Sequence, residues 1–318
     1  LRTLYYEKGQ LDKAWCVCGV LHVMAQANEE ERAFYQQGRG GPCRLPQASI
    51  DPAAWTEHLR HPMENPLVES IFDIILSVVV KAKTQPLKAF DLKRRDRKDP
   101  DSAKDPVAWM FGRVGAVLGI PLPELYVGER YKTGLEYILS DPAASVIGQN
   151  ILTGRFTEPE LVFLVAKHLT YYGGGRAMRV LEPSVAGLNS ILLGAIKLIR
   201  PDTPVDPEAA GMVEAAVQAL RAGLLPDQAA RLAAAVNVFV ASGAPVELEP
   251  WLRAIECTAS RAGLLLCNDL ESSVNMLNTQ STGISDAPLR AKVTDLKLYS
   301  ISESFFELRR RLGLALKV

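Results

Sequence analysis

The residues able to do acid–base or metal chemistry here are few: four histidines, five cysteines and a handful of acids set in helical patterns. His168 lies in the run Glu160-Leu161-Val162-Phe163-Leu164-Val165-Ala166-Lys167-His168-Leu169-Thr170-Tyr171. At helical spacing it shares a face with Leu161, Leu164, Val165 and Tyr172, which is the setting of a satisfied core histidine. His22, His58 and His61 come earlier, the last two in a loop-like stretch. Cys16-Val17-Cys18 has one residue between its thiols, where a redox or zinc-knuckle pair has two. With Cys43, Cys257 and Cys267 the count is odd and sparse, so all five are read as reduced, mostly buried thiols of a reducing compartment. Gly173-Gly174-Gly175-Arg176 has neither the preceding strand nor the following Lys-Ser/Thr of a phosphate loop, and reads as a helix stop. Asp269 and Glu271 form an acidic pair, of which Asp269 is the expected cap of the helix beginning there.

The elements that must position these groups are mostly helices. Apolar residues recur three to four apart over about 157–172, 183–199, 207–223, 226–241, 247–266, 269–278 and 300–313. Earlier helices are expected over 51–59 with Pro52 in the first turn, over 64–83, and over 106–119. Glu124–Val127 and Ala144–Gly148 are the strand-like runs, so the sheet should be small and lie between about 120 and 150. Lysine plus arginine equals aspartate plus glutamate at 36 each, which removes the bulk electrostatic case for nucleic acid or anionic membrane. The one long charge run, Lys93 to Asp105, alternates in sign and reads as a solvated loop. Apolar stretches such as Ile71 to Val80 stop well short of the ~20 residues of a membrane span. A chain opening Leu1-Arg2-Thr3 reads as part of a longer one, with cytoplasm as the expected compartment.

At the N-terminus, Leu4-Tyr5-Tyr6 followed by Gly9-x-x-Asp12-Lys13-Ala14 resembles the end of the first helix and the start of the second in a tetratricopeptide repeat. The match covers one repeat of about 34 residues and lacks the usual closing proline. Gly9 should supply the turn and Ala14 the close contact between antiparallel helices over 1–8 and 11–25. Asn28 with Glu31 forms a capping box for a third helix. The break at Arg39-Gly40-Gly41-Pro42 divides the chain into a repeat-like segment, 1–45, and a helical domain, 46–318.

Within the second part, the Glu160–Tyr171 run resembles the active helix of gluzincin metallopeptidases, E-L-x-F-x-x-A-H-E-L-x-H. Glu160, Leu161, Phe163, Ala166 and Leu169 match scaffold positions. Lys167 stands where the first zinc-binding histidine would be, His168 where the catalytic glutamate would be, and Tyr171 where the second histidine would be. Glu256-Cys257-Thr258-Ala259-Ser260-Arg261-Ala262-Gly263 resembles the later E-x-x-A-D-R-x-G helix: Glu256 matches the third ligand and Ser260 replaces the aspartate. With the strands at Leu125 and Val146 ahead of them, the resemblance spans about 107–280.

A zinc site needs at least three protein donors. At these positions an ammonium has no lone pair to give and a neutral phenol is a poor ligand, which leaves Glu256. The expectation is therefore a mainly α fold: a helical-repeat hairpin, then a zincin-like α+β domain with a small sheet. No catalytic residue, metal or cofactor is assigned. The vestigial site comprises Lys167, His168, Tyr171 and Glu256, with the Lys167 ammonium within about 4 Å of Glu256 in place of the cation and Tyr171 donating to the same carboxylate. The competing arrangement pairs Glu256 with Arg253 or Arg261. The function implied is protein interaction or scaffolding with a protein partner, and neither nucleic acid nor membrane. A hydrolase using other residues of the same fold, such as His168 as base with Glu256, is the alternative. A third reading is a peptide-binding repeat array capped by the larger domain.

Overall fold

A glycine and an alanine set the first helical pair. In the computed structural model, which describes residues 1–39, 45–243, 247–279 and 287–316, α1 (Arg2–Glu7) and α2 (Leu11–Val23) join through Gly9 at φ +68°. Only glycine enters that left-handed region without cost. The two helices pack together and Ala14 is completely buried. The capping box forms at α3 (Glu29–Arg39): Glu31 N–H donates to Asn28 Oδ1 at 2.9 Å, and Asn28 N–H to Glu31 Oε2 at 3.0 Å. Gly40 to Arg44, including Cys43, lie outside the described residues.

These three helices share one core with the end of the chain. Trp15, Cys18 and Tyr35 belong to the same apolar cluster as Leu265, Tyr299 and Phe305. Fully buried Arg309 donates to Asp12 at 2.6 and 3.0 Å, and its guanidinium lies 5.0 Å over the Trp15 ring.

Next come the short α4 (Pro52–Ala54), whose cap Asp51 accepts from Ala54 N–H, and a wider π-type turn, Trp55–Leu59, where one regular helix was expected. Asn65 caps α5 (Pro66–Lys83). Asp105 caps α6 (Pro106–Leu118), and Gly119 at φ +64° ends it.

The sheet holds β1 (Arg97–Lys98), β2 (Glu124–Val127), β3 (Leu135–Ile138) and β4 (Ala144–Ile147) in the order β1-β2-β4-β3. β2 and β4 run parallel with Leu125 opposite Ser145, and β3 is an antiparallel edge with Tyr137 opposite Ser145. Two strands depart from expectation. β1 falls inside the charge run read as a loop, held by main-chain pairing to β2 and by an Arg97–Glu124 ion pair at 3.2 Å. β3, Leu135-Glu136-Tyr137-Ile138, is an edge strand of which only Ile138 is fully buried, and it was not expected from the sequence.

The remaining helices are α7 (Gln149–Leu152), α8 (Glu158–Thr170), α9 (Met178–Leu181), α10 (Val185–Ile199), α11 (Ala210–Gly223) and α12 (Pro226–Ala241). They are followed by α13 (Glu249–Cys267), α14 (Leu270–Thr279), α15 (Leu289–Ser300) and α16 (Glu303–Arg311). Helix far exceeds strand, at 65% helical with one small mixed sheet. Apart from 51–59, the expected helices form within a few residues of their bounds, and α15, like the short α7 and α9, falls where none was expected. Its buried stripe is Lys292, Leu296, Tyr299 and Ser300, so two of four core-facing positions are polar and the apolar period is lost.

Two helices centre the molecule. α8 packs along α13, with Phe163, Ala166, Leu169, Ala259 and Ala262 all buried between or beside them. Gly263 permits the approach: a methyl group there would lie 2.6 Å from the Phe163 ring. α13 then contacts α15 on another side, and α8 contacts β3.

Candidate functional site

The α8–α13 pairing determines where each predicted residue points. Thr157 and Glu160 start α8 as a capping box, with Thr157 N–H donating to Glu160 Oε2 at 2.8 Å, so Glu160 has a local role at the helix end. One face of α8 then meets α13 and carries Lys167. The next residue, His168, points to the sheet.

Glu256 is completely buried in the middle of α13. Lys167 Nζ lies 3.8 Å from Glu256 Oε1, so the structure brings these two predicted residues together. A closer cation comes from the helix that was not expected: Lys292 Nζ of α15 lies 2.9 Å from the same oxygen. The other oxygen, Oε2, accepts the main-chain N–H of Ala287 at 3.0 Å. The competing pairing with Arg261 does not form, because Arg261 binds Asp295 through two bonds of 2.6 and 2.9 Å. Burial lowers the Lys167 ammonium from its ordinary 10.5 to about 8, with the attraction of Glu256 opposing and the repulsion of Lys292 adding to the fall. Carboxylate and ammonium side chains dominate this centre. An ammonium cannot ligate a cation while protonated, so the donors at hand are those of a buried ion cluster.

His168 belongs to a different network. Its ring stacks on Tyr137 of β3, with centroids 4.0 Å apart and planes 14° apart. Nε2 lies 2.8 Å from Ser145 Oγ of β4, which is in turn 2.8 Å from the Tyr172 hydroxyl. Tyr172 donates its proton to the Ala144 carbonyl at 2.8 Å. A phenol has one proton, so Tyr172 accepts from Ser145, and Ser145 accepts from His168 Nε2–H. The serine–histidine distance is that of a nucleophile and its base, but the proton runs the opposite way: the imidazole gives where a base must take. Ser145 and His168 are both buried, and burial holds the imidazole neutral, pushing its pKa down to about 3. His168 is thus the satisfied core histidine expected from its apolar face. Its hydrogen bond to Ser145 and its stacking on Tyr137 turn it toward the sheet, while Glu256 is held from the side of α15.

Tyr171 is buried in the second apolar cluster, among α5, α10 and the first half of α13, edge-on to Tyr137 at 6.1 Å. Asp269 caps α14, accepting from Glu271 N–H at 3.2 Å and from Ser272 Oγ at 2.7 Å, and it also pairs with Arg39 at 2.5 Å. Cys16, Cys18 and Cys257 are buried free thiols, and buried Cys267 donates to the Leu264 and Asp269 carbonyls. Among the described residues, no helix is long and apolar enough to cross a membrane.

Sequence reasoning missed Lys292. Lys292 shares a helical face with Leu296 and Tyr299, but with Ser300 also on that face the stripe is too polar to mark a buried side in the sequence. Comparison with known proteins finds no matching family model, curated protein or solved structure.

Proposed function

We propose that this chain is a non-catalytic protein-interaction or scaffold protein, a tetratricopeptide-like segment joined to a gluzincin-like domain kept for its shape. One observation carries the reading. A glutamate at the position that resembles the third zinc ligand is fully buried and held by ammonium groups, Lys292 at 2.9 Å and Lys167 at 3.8 Å, where a catalytic site would place a cation. Burying a carboxylate without a counter-charge costs several kcal/mol, so loss of a metal from such a site selects for a replacement cation. The residues that match the family as scaffold have packing roles here: Phe163, Ala166 and Leu169 are buried on α8, and Gly263 sets the distance to α13. A protein partner, a cytoplasmic setting and the absence of nucleic-acid or membrane binding belong to the same proposal, supported by the free thiols and the balanced charge.

The test is a peptidase screen of the intact chain alongside Glu256→Gln, together with affinity purification of the intact chain and mass spectrometry of what it retains. The expected result is background cleavage by both proteins and a reproducible protein partner for the intact chain. Cleavage by the wild type that Glu256→Gln abolishes would overturn the reading in favour of a hydrolase.

A further inference from the structure

A second group of functional side chains gathers beside α13, at the residue after Glu256. Cys257 follows Glu256 directly. Asp295 comes from α15, and His61 from the loop after the π-type turn. The ligand atoms of His61, Cys257 and Asp295 all lie within 4.8 Å of one another. The geometry assigns a zinc-class divalent metal site to His61, Cys257 and Asp295, one imidazole, one thiolate and one carboxylate, with a fourth position left to water or an outside ligand.

Each side chain is placed by contacts of its own. The His61 main-chain N–H donates to Thr258 Oγ1 at 2.8 Å, which fastens the loop to α13 one residue beyond Cys257. Arg261 grips Asp295 at 2.6 and 2.9 Å and is fixed by the Tyr299 ring 4.6 Å beneath it and by the Arg60 carbonyl at 3.3 Å. A carboxylate has about four lone-pair sites, and this grip uses two of them. Outer groups that orient a ligand in this way are a regular part of metal sites. Among the described residues the Cys257 thiol has no hydrogen-bond partner, and Asp295 is among its charged neighbours.

The spacing suits a tetrahedral ion. Metal bonds of about 2.0–2.3 Å place neighbouring ligand atoms about 3.3–3.6 Å apart. His61 Nε2 and Asp295 Oδ1 are 3.4 Å apart, longer than a good hydrogen bond of about 2.9 Å and equal to that tetrahedral edge. Closing the set requires the sulfur to approach by about an ångström, within reach of a small side-chain rotation. The mixed nitrogen, sulfur and oxygen donors favour zinc over magnesium or calcium, which take oxygen alone. The side chains of His61 and Asp295 are 19% and 12% exposed, so an ion can enter from solvent.

Binding has a defined proton balance. The thiol, which burial and the neighbouring Asp295 push up to about 12, loses its proton to solvent as the sulfur–metal bond forms. His61 Nδ1 accepts the Met63 N–H at 3.2 Å, so the neutral ring carries its proton on Nε2. Ligation through Nε2 moves that proton to Nδ1 and frees the Met63 N–H, which lies in an exposed turn. The site uses side chains other than those of the neighbouring Glu256 cluster and does not depend on the scaffold reading.

The experiment is titration of the intact, metal-stripped chain with cobalt(II), followed by competition with zinc. The expected result is a near-ultraviolet thiolate-to-cobalt charge-transfer band that zinc displaces and that Cys257→Ser removes. His61→Ala, a change at a partly exposed loop residue, should weaken cobalt binding more than about 100-fold, beyond the 10–100-fold typical of outer-sphere changes. Circular dichroism and the thermal midpoint establish that each variant is folded. No band in the wild type, or a band that survives Cys257→Ser or is unmoved by His61→Ala in folded protein, would overturn the assignment. Cleavage assays on Glu256→Gln bear on the scaffold reading alone, so the two can fail separately.

Discussion

Replacing Lys167 and Lys292 one at a time by methionine separates two ammonium groups that share one carboxylate. Both are buried, at 5% exposure each, and methionine conserves most of the volume, so the packing change is small. At about 4 Å and an effective dielectric near 20, an ion pair is worth about 4 kcal/mol before desolvation. For Lys167 the balance is adverse: its fall from 10.5 to about 8 means that burial and Lys292 outweigh Glu256. At about 1.4 kcal/mol per pH unit, the charged group costs the fold about 3 kcal/mol at pH 7. Lys292, at 2.9 Å, is the direct partner of Glu256, and its removal leaves the buried carboxylate to a more distant cation. Lys292→Met is therefore expected to lose about 3–5 kcal/mol, the usual cost of breaking a buried pair. Lys167→Met is expected to be neutral or up to about 3 kcal/mol more stable than wild type at pH 7. The sign with pH is fixed. Below pH 8 both folded and unfolded Lys167 are protonated and the full cost is present. Between 8 and 10.5 the folded state sheds its proton first, the cost fades, and the advantage of Lys167→Met shrinks toward zero. Urea denaturation of the three proteins at pH 7 and pH 10 measures this. A Lys167→Met variant that loses as much as Lys292→Met at pH 7 would refute the reasoning.

Three further outcomes follow from the packing. His168, held neutral with its pKa pushed down to about 3, removes stability as pH falls below its unfolded value near 6.5, at up to about 1.4 kcal/mol per unit; denaturation midpoints from pH 7 to pH 4 should fall less steeply in His168→Gln. Gly263→Ala should cost about 1–3 kcal/mol, because its methyl would meet the Phe163 ring at 2.6 Å, and equal stability by urea denaturation would contradict the close approach of α8 and α13. Arg309→Met should cost about 3–5 kcal/mol by leaving Asp12 unpaired, and hydrogen exchange should show α2 and α16 losing protection together if the chain's two ends form one cooperative unit.

Local chemistry alone determined much of the secondary structure. Gly9 and Gly119 sit at positive φ because no other residue enters that region freely; Asn28 and Asp105 start helices because their side chains satisfy exposed N–H groups, and at α8 the Glu160 carboxylate accepts the Thr157 N–H. The strand runs at Glu124–Val127 and Ala144–Ile147 and the apolar stripes of α8 and α13 could be read in the same way, although the parallel pairing of β2 with β4 is a tertiary outcome. So could the fate of His168, whose neighbours at helical spacing are apolar. The charge centre could not. A lysine on a helix of mixed polarity reads as solvated, and only the packing of α15 on α13 turns Lys292 inward onto Glu256. The same holds for His61 and Asp295, more than 230 positions apart, which meet Cys257 because a loop bonds to Thr258 and a helix crosses beside it. Periodicity records which face of an element is apolar. A polar residue placed on that face by its partners leaves no periodic trace, so buried ionic and metal-ligating groups are decided by tertiary contact.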